Sequence, residues 1–192
     1  LQWKNNLIET VHERMTDGIL IFPKDISDVD KFDYTKGAMR GVFDYDHEFY
    51  VQSRRFKGET GGEVLTPFSR ANGDLILVNR GFAKKEDLPY LRRPQELITI
   101  NGILHKPDDR NRFTPENKPG DNMLYASDVD FIEAETGYEF ATSLVLYSSD
   151  DRNGVPIGGQ LKMNFANNHL EYAFFWYTMC LMTCPEPGYT VN

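Results

Sequence analysis

Residues 64–82, Val-Leu-Thr-Pro-Phe-Ser-Arg-Ala-Asn-Gly-Asp-Leu-Ile-Leu-Val-Asn-Arg-Gly-Phe, decide the fold class of this chain. The pair Asn72-Gly73 suits a tight turn that needs positive φ. A continuous apolar run, Leu75-Ile76-Leu77-Val78, follows this turn and is typical of a buried strand. The stretch therefore predicts a β-hairpin with at least one strand in the core.

Further short β-type runs lie on both sides of this hairpin. Each carries β-branched or aromatic residues between Gly, Pro, Asn or Asp, and together they cover residues 38–51, 62–68, 74–82, 97–104, 141–148 and 158–165. Few helical patterns separate them, which favours an antiparallel sheet over a parallel βαβ fold. The predicted class is α+β, a mainly antiparallel β barrel or sandwich with an N-terminal helix and a C-terminal apolar helix.

Two amphipathic or capped helices are predicted. Residues 3–16 place an apolar stripe on one helix face and end at Gly18. Ser127 can cap a short helix over residues 128–136, which Gly137 would close. The polar connection 19–37 and a loop rich in Pro and Asn over residues 105–126 complete this part of the chain.

The segment from Leu170 to Cys184 is apolar on every face, with Glu171 its one charged residue. Such a helix is buried either in lipid or in a large core, and a domain of this size has little core to surround it. Its fifteen residues would reach about 22 Å, short of the roughly 30 Å of a bilayer interior. Either the span is truncated by Pro185 or it begins earlier, near Phe165; a core helix of a soluble protein is the alternative.

Four regions follow from these patterns. Residues 1–18 would form a helix, and residues 19–165 would form a β-rich extramembrane domain. Residues 166–184 form a truncated transmembrane-type helix, and residues 185–192 form a tail. Because the chain begins at Leu1 rather than at a methionine, we expect a fragment or a processed product.

Composition excludes several classes of protein. Twenty-nine acidic against 21 basic residues give a net charge of −8, which argues against a general nucleic-acid binder. Two cysteines exclude a disulfide-dense scaffold. A mean hydropathy of −0.51 excludes a multi-span transporter but leaves room for one apolar helix.

Of the four histidines, His169 is the one that the sequence places where it could bind a cofactor. It follows Asn167-Asn168, either of which can cap the apolar helix, and Tyr172 and Trp176 share its helix face. An imidazole at a membrane interface with aromatic rings beneath it could ligate the iron of a flat apolar macrocycle such as haem. The alternative is an interfacial histidine that only hydrogen-bonds at headgroup level.

Other candidate chemistry is weaker. His12, His47 and His105 lie too far apart in the sequence to resemble a zinc motif. Cys180 and Cys184 share a helix face and could hold copper(I), or could simply be small apolar residues. No Gly-x-Ser-x-Gly elbow is present, so the sequence predicts no enzyme.

Five segments in order resemble one protein family. They are Arg40-Gly41-Val42-Phe43-Asp44, Glu63-Val64-Leu65-Thr66-Pro67-Phe68, Leu77-Val78-Asn79-Arg80-Gly81-Phe82, Arg112-Phe113-Thr114-Pro115-Glu116-Asn117, and Pro156-Ile157-Gly158-Gly159-Gln160 leading to Asn167-Asn168-His169-Leu170-Glu171-Tyr172-Ala173 and Trp176. The set resembles the surfeit-locus family of cytochrome c oxidase assembly factors, over about residues 1–180.

The resemblance implies a membrane-anchored assembly factor with two transmembrane helices flanking a β-rich domain. It implies the oxidase catalytic subunit as partner, with haem a synthase as a second candidate, and haem a as a transient cofactor. His169 would be the axial ligand, with Asn168, Tyr172 and Trp176 beside it. Arg80 and Arg112 could meet the haem propionates or could be structural. The alternative is a pure interaction module for the oxidase subunit that never binds haem.

The resemblance also implies a location. The domain would face the bacterial periplasm from the cell inner membrane, or the intermembrane space from the mitochondrial inner membrane. Residues 54–63 lack the long insertion that mitochondrial members often carry, which favours the bacterial location. The missing first helix and the stop at Pro185 are departures from the family pattern.

Overall fold

The computed structural model describes residues 20–108, 112–149 and 154–159, together with Leu161 and Met179. The chain divides into two compact units, 1–162 and 163–192, and all described residues except Met179 belong to the first. The helix predicted over residues 3–16 lies outside the described residues, as does the one over 166–184 apart from Met179.

Eight strands and three short helices make up the described part of the chain. The strands are β1 Leu20–Ile21, β2 Thr35–Phe43, β3 Phe49–Phe56, β4 Glu59–Arg70, β5 Leu75–Ala83, β6 Ile98–His105, β7 Met123–Leu124 and β8 Phe140–Ser148. The helices are α1 Val29–Phe32, a 3₁₀ helix Lys85–Tyr90, and α2 Val129–Thr136.

Five strands close into a barrel. The pairing runs β2-β6-β8-β5-β4, and β4 pairs back onto β2. Of the two predicted alternatives, a barrel or a sandwich, the structure shows the barrel, and four of its five pairings are antiparallel as expected. The pairing of β5 with β8 is parallel: β6 lies between these two strands in the sequence, and β8 inserts between β6 and β5 in the barrel.

The hairpin predicted at Asn72-Gly73 is confirmed. β4 and β5 pair antiparallel from Gly62↔Ala83 to Ser69↔Leu75. Gly73 has φ +93°, and Asn72 Nδ2 donates to Asp74 Oδ2 at 2.7 Å across the turn. The turn chemistry that the two residues supply thus determines the register of the central hairpin.

The single strand predicted over residues 38–51 is wrong. β2 ends at Phe43 and β3 begins at Phe49, because Asp44 turns the chain by accepting a hydrogen bond from Asp46 N at 3.1 Å. The strand predicted over residues 158–165 is not present at its described positions. Ile157 forms an isolated antiparallel bridge with Phe82, just before that range.

The apolar run in β5 faces two separate cores. Ile76 and Val78 point into the barrel with Phe68 and Leu146, whereas Leu77 packs outside it in a second cluster. That outer cluster is covered by α2 and β7; its buried members include Val51, Leu65, Leu124, Val129, Ile132, Phe140 and Val145. A strand buried on both faces reads as a continuous apolar run, which explains residues 75–78.

The helix predicted over residues 128–136 is present, but its cap is not Ser127. The Asp128 carboxylate accepts a hydrogen bond from Phe131 N at 3.1 Å, and Gly137 closes the helix at φ +72°. The Ser127 hydroxyl is buried without a hydrogen-bond partner among the described residues. Two adjacent residues both suit an N-cap, and the path of the chain selects the second.

This difference gives a direct test. Asp128→Ala should destabilise the 192-residue chain by about 1 kcal/mol, the usual value of an N-cap. Ser127→Ala should cost less or even stabilise, because it removes an unpaired buried hydroxyl. Urea unfolding followed by circular dichroism measures both, and a larger loss for Ser127→Ala would contradict the assignment.

No helix within the described residues is long and apolar enough to cross a membrane.

Candidate functional site

The stretch Val78-Asn79-Arg80-Gly81-Phe82 ends β5 with a bulge. β4 and β5 shift register between Val64 and Leu65, opposite Gly81 and Asn79. The Asn79 side-chain oxygen accepts a hydrogen bond from Gly81 N at 2.9 Å, and Gly81 has φ +121°, a conformation open to glycine. The bulge re-aims the strand and brings Phe82 to the segment that follows β8.

Gly81 lets two distant stretches of sequence meet. Phe82 and Ile157 exchange two backbone hydrogen bonds of 2.8 Å. A Cβ atom on Gly81 would overlap the carbonyl oxygen of Ile157. The segment 154–159 is also tied to the barrel by Gly159 N, which donates to Ser148 O at 2.8 Å. Only a glycine at position 81 allows this close approach.

Arg80 is a buried cation with fixed partners. Its side chain is 7% exposed, and Nη1 lies 2.7 Å from Glu48 Oε2. Its Nη2 donates to the carbonyl oxygen of Arg92. The other Glu48 oxygen, Oε1, pairs with Nη2 of Arg93 at 2.8 Å, on a side chain that is 40% exposed. Glu48 therefore links the barrel wall to the loop before β6.

Two aromatic rings complete the surroundings of Arg80. Its guanidinium carbon lies 5.2 Å from the ring centre of Phe43 and 5.1 Å from that of Tyr45. Burial lowers the pKa of Arg80, and the Glu48 carboxylate opposes this. Burial also raises the pKa of Tyr45 to about 12. The Tyr45 hydroxyl donates to Pro94 O at 2.8 Å. At neutral pH Arg80 is therefore charged and Tyr45 is neutral.

A cleft of about 290 Å³ opens beside this cluster at one end of the barrel. Strand ends and the two tied segments form its walls; they contribute Phe43, Arg80, Arg92, Pro94, Ile98, Thr99, Ile100, Ser148, Val155 and Pro156. Most of these side chains are apolar and two are arginines. The cleft can therefore hold a small apolar group that carries negative charge.

The family assignment rests on a sequence match over most of the chain. The model of the SURF1 family matches residues 1–181. The chain belongs to the SURF1 family. That assignment agrees with the resemblance drawn from the five sequence segments.

Curated relatives show the same relationship. Surfeit locus protein 1 of Rattus norvegicus is 29% identical over 204 residues, which cover 95% of this chain and 65% of the relative. Surfeit locus protein 1 of Takifugu rubripes is also 29% identical, covering 84% of its own length, and a SURF1-like protein of Caenorhabditis elegans is 28% identical. The chain spans 65% of the length of the rat relative.

Four of the five segments meet in the described part of the chain, the fifth through the bridge of Ile157 with Phe82. Arg40–Asp44 meets the end of Glu63–Phe68 where β2 closes the barrel onto β4: Phe43 pairs with Phe68, and Asp44 N donates to Pro67 O at 2.9 Å. A Cβ on Gly41 would overlap the carbonyl oxygen of Ser69. The Leu77–Phe82 segment pairs with β4 along the same wall. Closure of the barrel therefore explains why residue 41 is a glycine, and the close approach of Ile157 explains why residue 81 is one.

The Arg112–Asn117 segment lies elsewhere in the fold, beside the residues that follow β7. Asn117 Oδ1 accepts a hydrogen bond from Tyr125 N at 2.8 Å, and Asn117 Nδ2 donates to Ala126 O at 3.1 Å. Arg112 is exposed and is not among the residues that line the cleft, whereas Arg80 is. The structure therefore does not place the two predicted arginines in one cleft.

The remaining predicted site residues, Asn168, His169, Tyr172 and Trp176, lie outside the described residues. Their roles stay predictions. Within the described part of the chain, no three His, Cys, Asp or Glu side chains are grouped to hold a metal ion.

Sequence reasoning missed Glu48, Arg92 and Arg93. Glu48 belongs to an acidic stretch, Asp44–Glu48, that resembles a solvated turn, yet the Glu48 side chain is only 11% exposed. The signal that could have found it is a carboxylate directly before the β3 run Phe49-Tyr50-Val51. The adjacent pair Arg92-Arg93, before Pro94 in an acidic chain, is the corresponding signal for the arginines.

A second missed group lies on the outer face of the barrel. Glu63 is largely buried, and burial raises the pKa of its carboxyl, against the opposing effect of Arg54. Arg54 Nε lies 3.4 Å from Glu63 Oε2. Burial also raises the pKa of the nearby Tyr147 hydroxyl. These groups pack beside the outer core, away from the cleft-lining residues.

Proposed function

We propose that this SURF1-family chain is part of a cytochrome c oxidase assembly factor that acts on the nascent catalytic subunit. The match of the SURF1 model to residues 1–181 carries the proposal. In the described barrel, the segments that carry the family resemblance build the barrel closure and one wall of the cleft. The proposed role is that of an assembly factor rather than of an enzyme.

The proposal includes haem a. Haem a is apolar, so a carrier must hold it at a lipid boundary and still release it. His169 would supply one exchangeable iron ligand, with Tyr172 and Trp176 against the macrocycle and Asn168 orienting the imidazole. All four positions fall within the residues that the family model matches.

The two arginines differ in what they offer to the haem propionates. Arg80 already pairs with Glu48 at 2.7 Å. Arg112 is exposed on its loop, where an anionic group can reach it. Both arginines stay proposed partners of the haem propionates.

The proposed location follows from the family. The domain would lie on the outer side of the bacterial inner membrane, with the mitochondrial intermembrane space as the alternative. Haem a synthase is a second proposed partner, since it makes the cofactor that would be delivered.

The optical spectrum of the full-length protein, purified from cells that make haem a, tests the haem proposal. We expect a Soret band that is lost in His169→Ala, because the iron loses its ligand. The control His12→Ala removes a histidine from the predicted N-terminal helix and should keep the band. An unchanged band in His169→Ala would overturn the ligand assignment.

A pure interaction module for the oxidase subunit is the second candidate. The cleft at the barrel end, of about 290 Å³, is about the size of the smallest pockets in the range of roughly 300–1,000 Å³ that hold small-molecule ligands. It is therefore too small to enclose a macrocycle. No Soret band, together with intact co-purification of the oxidase subunit, would favour this candidate.

A further inference from the structure

The rim of the cleft at the barrel end carries an arginine, Arg92, whose charge no described carboxylate balances. Both oxygens of Glu48 are occupied, Oε2 by Arg80 and Oε1 by Arg93. Arg92 is exposed and lines the cleft, and no described carboxylate pairs with it. In a chain of net charge −8, this rim is a local site of positive charge.

The cleft lining below Arg92 combines apolar side chains that are continuous with the core with the polar side chains of Thr99 and Ser148. Phe43 and Ile100 are 8% and 5% exposed and belong to the barrel interior. Ile98, Pro94 and Pro156 extend this apolar surface toward solvent. A guest that fills the cleft therefore removes apolar area from water while its polar end stays at the rim.

The walls of the cleft are held by hydrogen bonds within the chain. Arg92 N donates to Val155 O at 2.9 Å, and Tyr45 Oη donates to Pro94 O at 2.8 Å. A Cβ on Gly154 would lie 3.4 Å from Arg92 Cδ, so the stem of the arginine runs along this glycine. Little ordering of the walls is needed when a guest binds.

We propose that this cleft binds small aliphatic carboxylates, with the chain in the apolar lining and the carboxylate on the Arg92 guanidinium. Arg80 and Arg93 both pair with Glu48, whereas the Arg92 guanidinium has no described carboxylate partner and can make a charge-assisted hydrogen bond to the guest. The inference goes beyond the proposed function and does not depend on His169.

Octanoate is the probe. Titration into the ¹⁵N-labelled 192-residue chain should produce saturable shifts of the Thr99, Ser148 and Gly154 amides, which lie in or beside the cleft. A ligand of this size should bind with a Kd on the order of millimolar. Octanol, which has the same chain length and no charge, should bind at least about tenfold more weakly.

Arg92→Gln should weaken octanoate binding about tenfold and leave octanol binding unchanged. The matched control Arg93→Gln removes the neighbouring arginine, which pairs with Glu48, and should leave octanoate binding within about twofold. The proposal is overturned by equal octanoate binding in the wild type and Arg92→Gln, or by no saturable shift below the critical micelle concentration. Because the test uses no haem, its failure leaves the proposed function standing.

Discussion

Gly81→Ala should destabilise the 192-residue chain by about 2–6 kcal/mol, from strained backbone and from overlap with a neighbour, each worth roughly 1–3 kcal/mol. Gly81 has φ +121°, and its new Cβ would overlap the carbonyl oxygen of Ile157. For a chain of this length the melting temperature should fall by roughly 10 °C. Thermal unfolding followed by circular dichroism measures the change.

The matched control is Gly58→Ala, in the turn between β3 and β4. Gly58 also has positive φ, +87°, but a Cβ atom added at this position would meet no other atom within 4 Å. Gly58→Ala should therefore lower the stability only through backbone strain, by about 1–2 kcal/mol. Gly81→Ala should also reduce the hydrogen-exchange protection of the Phe82 and Ile157 amides, which Gly58→Ala should leave intact. Equal losses of stability in Gly81→Ala and Gly58→Ala would contradict the close contact between Gly81 and Ile157.

Arg80→Met should cost about 3–5 kcal/mol, because the largely buried Glu48 carboxylate would keep only the exposed Arg93 as a described cation, beside the Thr66 hydroxyl at 3.3 Å. It also removes the stacking of the guanidinium on Phe43 and Tyr45. Arg93→Met breaks an ion pair to the same carboxylate from a side chain that is 40% exposed. That second variant should cost only about 0–1 kcal/mol.

The double variant Arg80→Met with Glu48→Met separates the cost of an unpaired buried carboxylate from the cost of losing the Arg80 side chain. Replacing both charges of a buried pair by apolar side chains is often close to neutral. We therefore expect the double variant to be more stable than Arg80→Met alone in urea unfolding. Equal costs for Arg80→Met and Arg93→Met, or a double variant less stable than either single one, would contradict a buried structural role for Arg80.

Local chemistry made part of the fold predictable. Asn72-Gly73 and the run Leu75–Val78 act within a few residues, and both the hairpin and its buried strand are present. The choice between Ser127 and Asp128 as helix cap could not be made in advance, because each offers an oxygen at the right distance from the helix start. The backbone path into α2 decides it.

Contacts between residues far apart in the sequence made other features of the fold impossible to predict from the sequence. The parallel contact of β5 with β8 joins Leu77 to Val145, and no periodicity along the chain predicts it. Tertiary closure likewise brings Glu48 to Arg80, 32 residues away. Arg80 could be selected from its motif, but its partner could not, since an acidic residue in a polar stretch has no local sign of burial.

The proposed role in oxidase assembly is tested most directly by disrupting the gene in the organism that encodes this chain. The measurement is the haem a absorption of isolated membranes together with their cytochrome c oxidase activity. Both should fall well below the wild-type level and return when the full-length gene is restored. Wild-type haem a absorption and oxidase activity in the disrupted strain would contradict the proposed role.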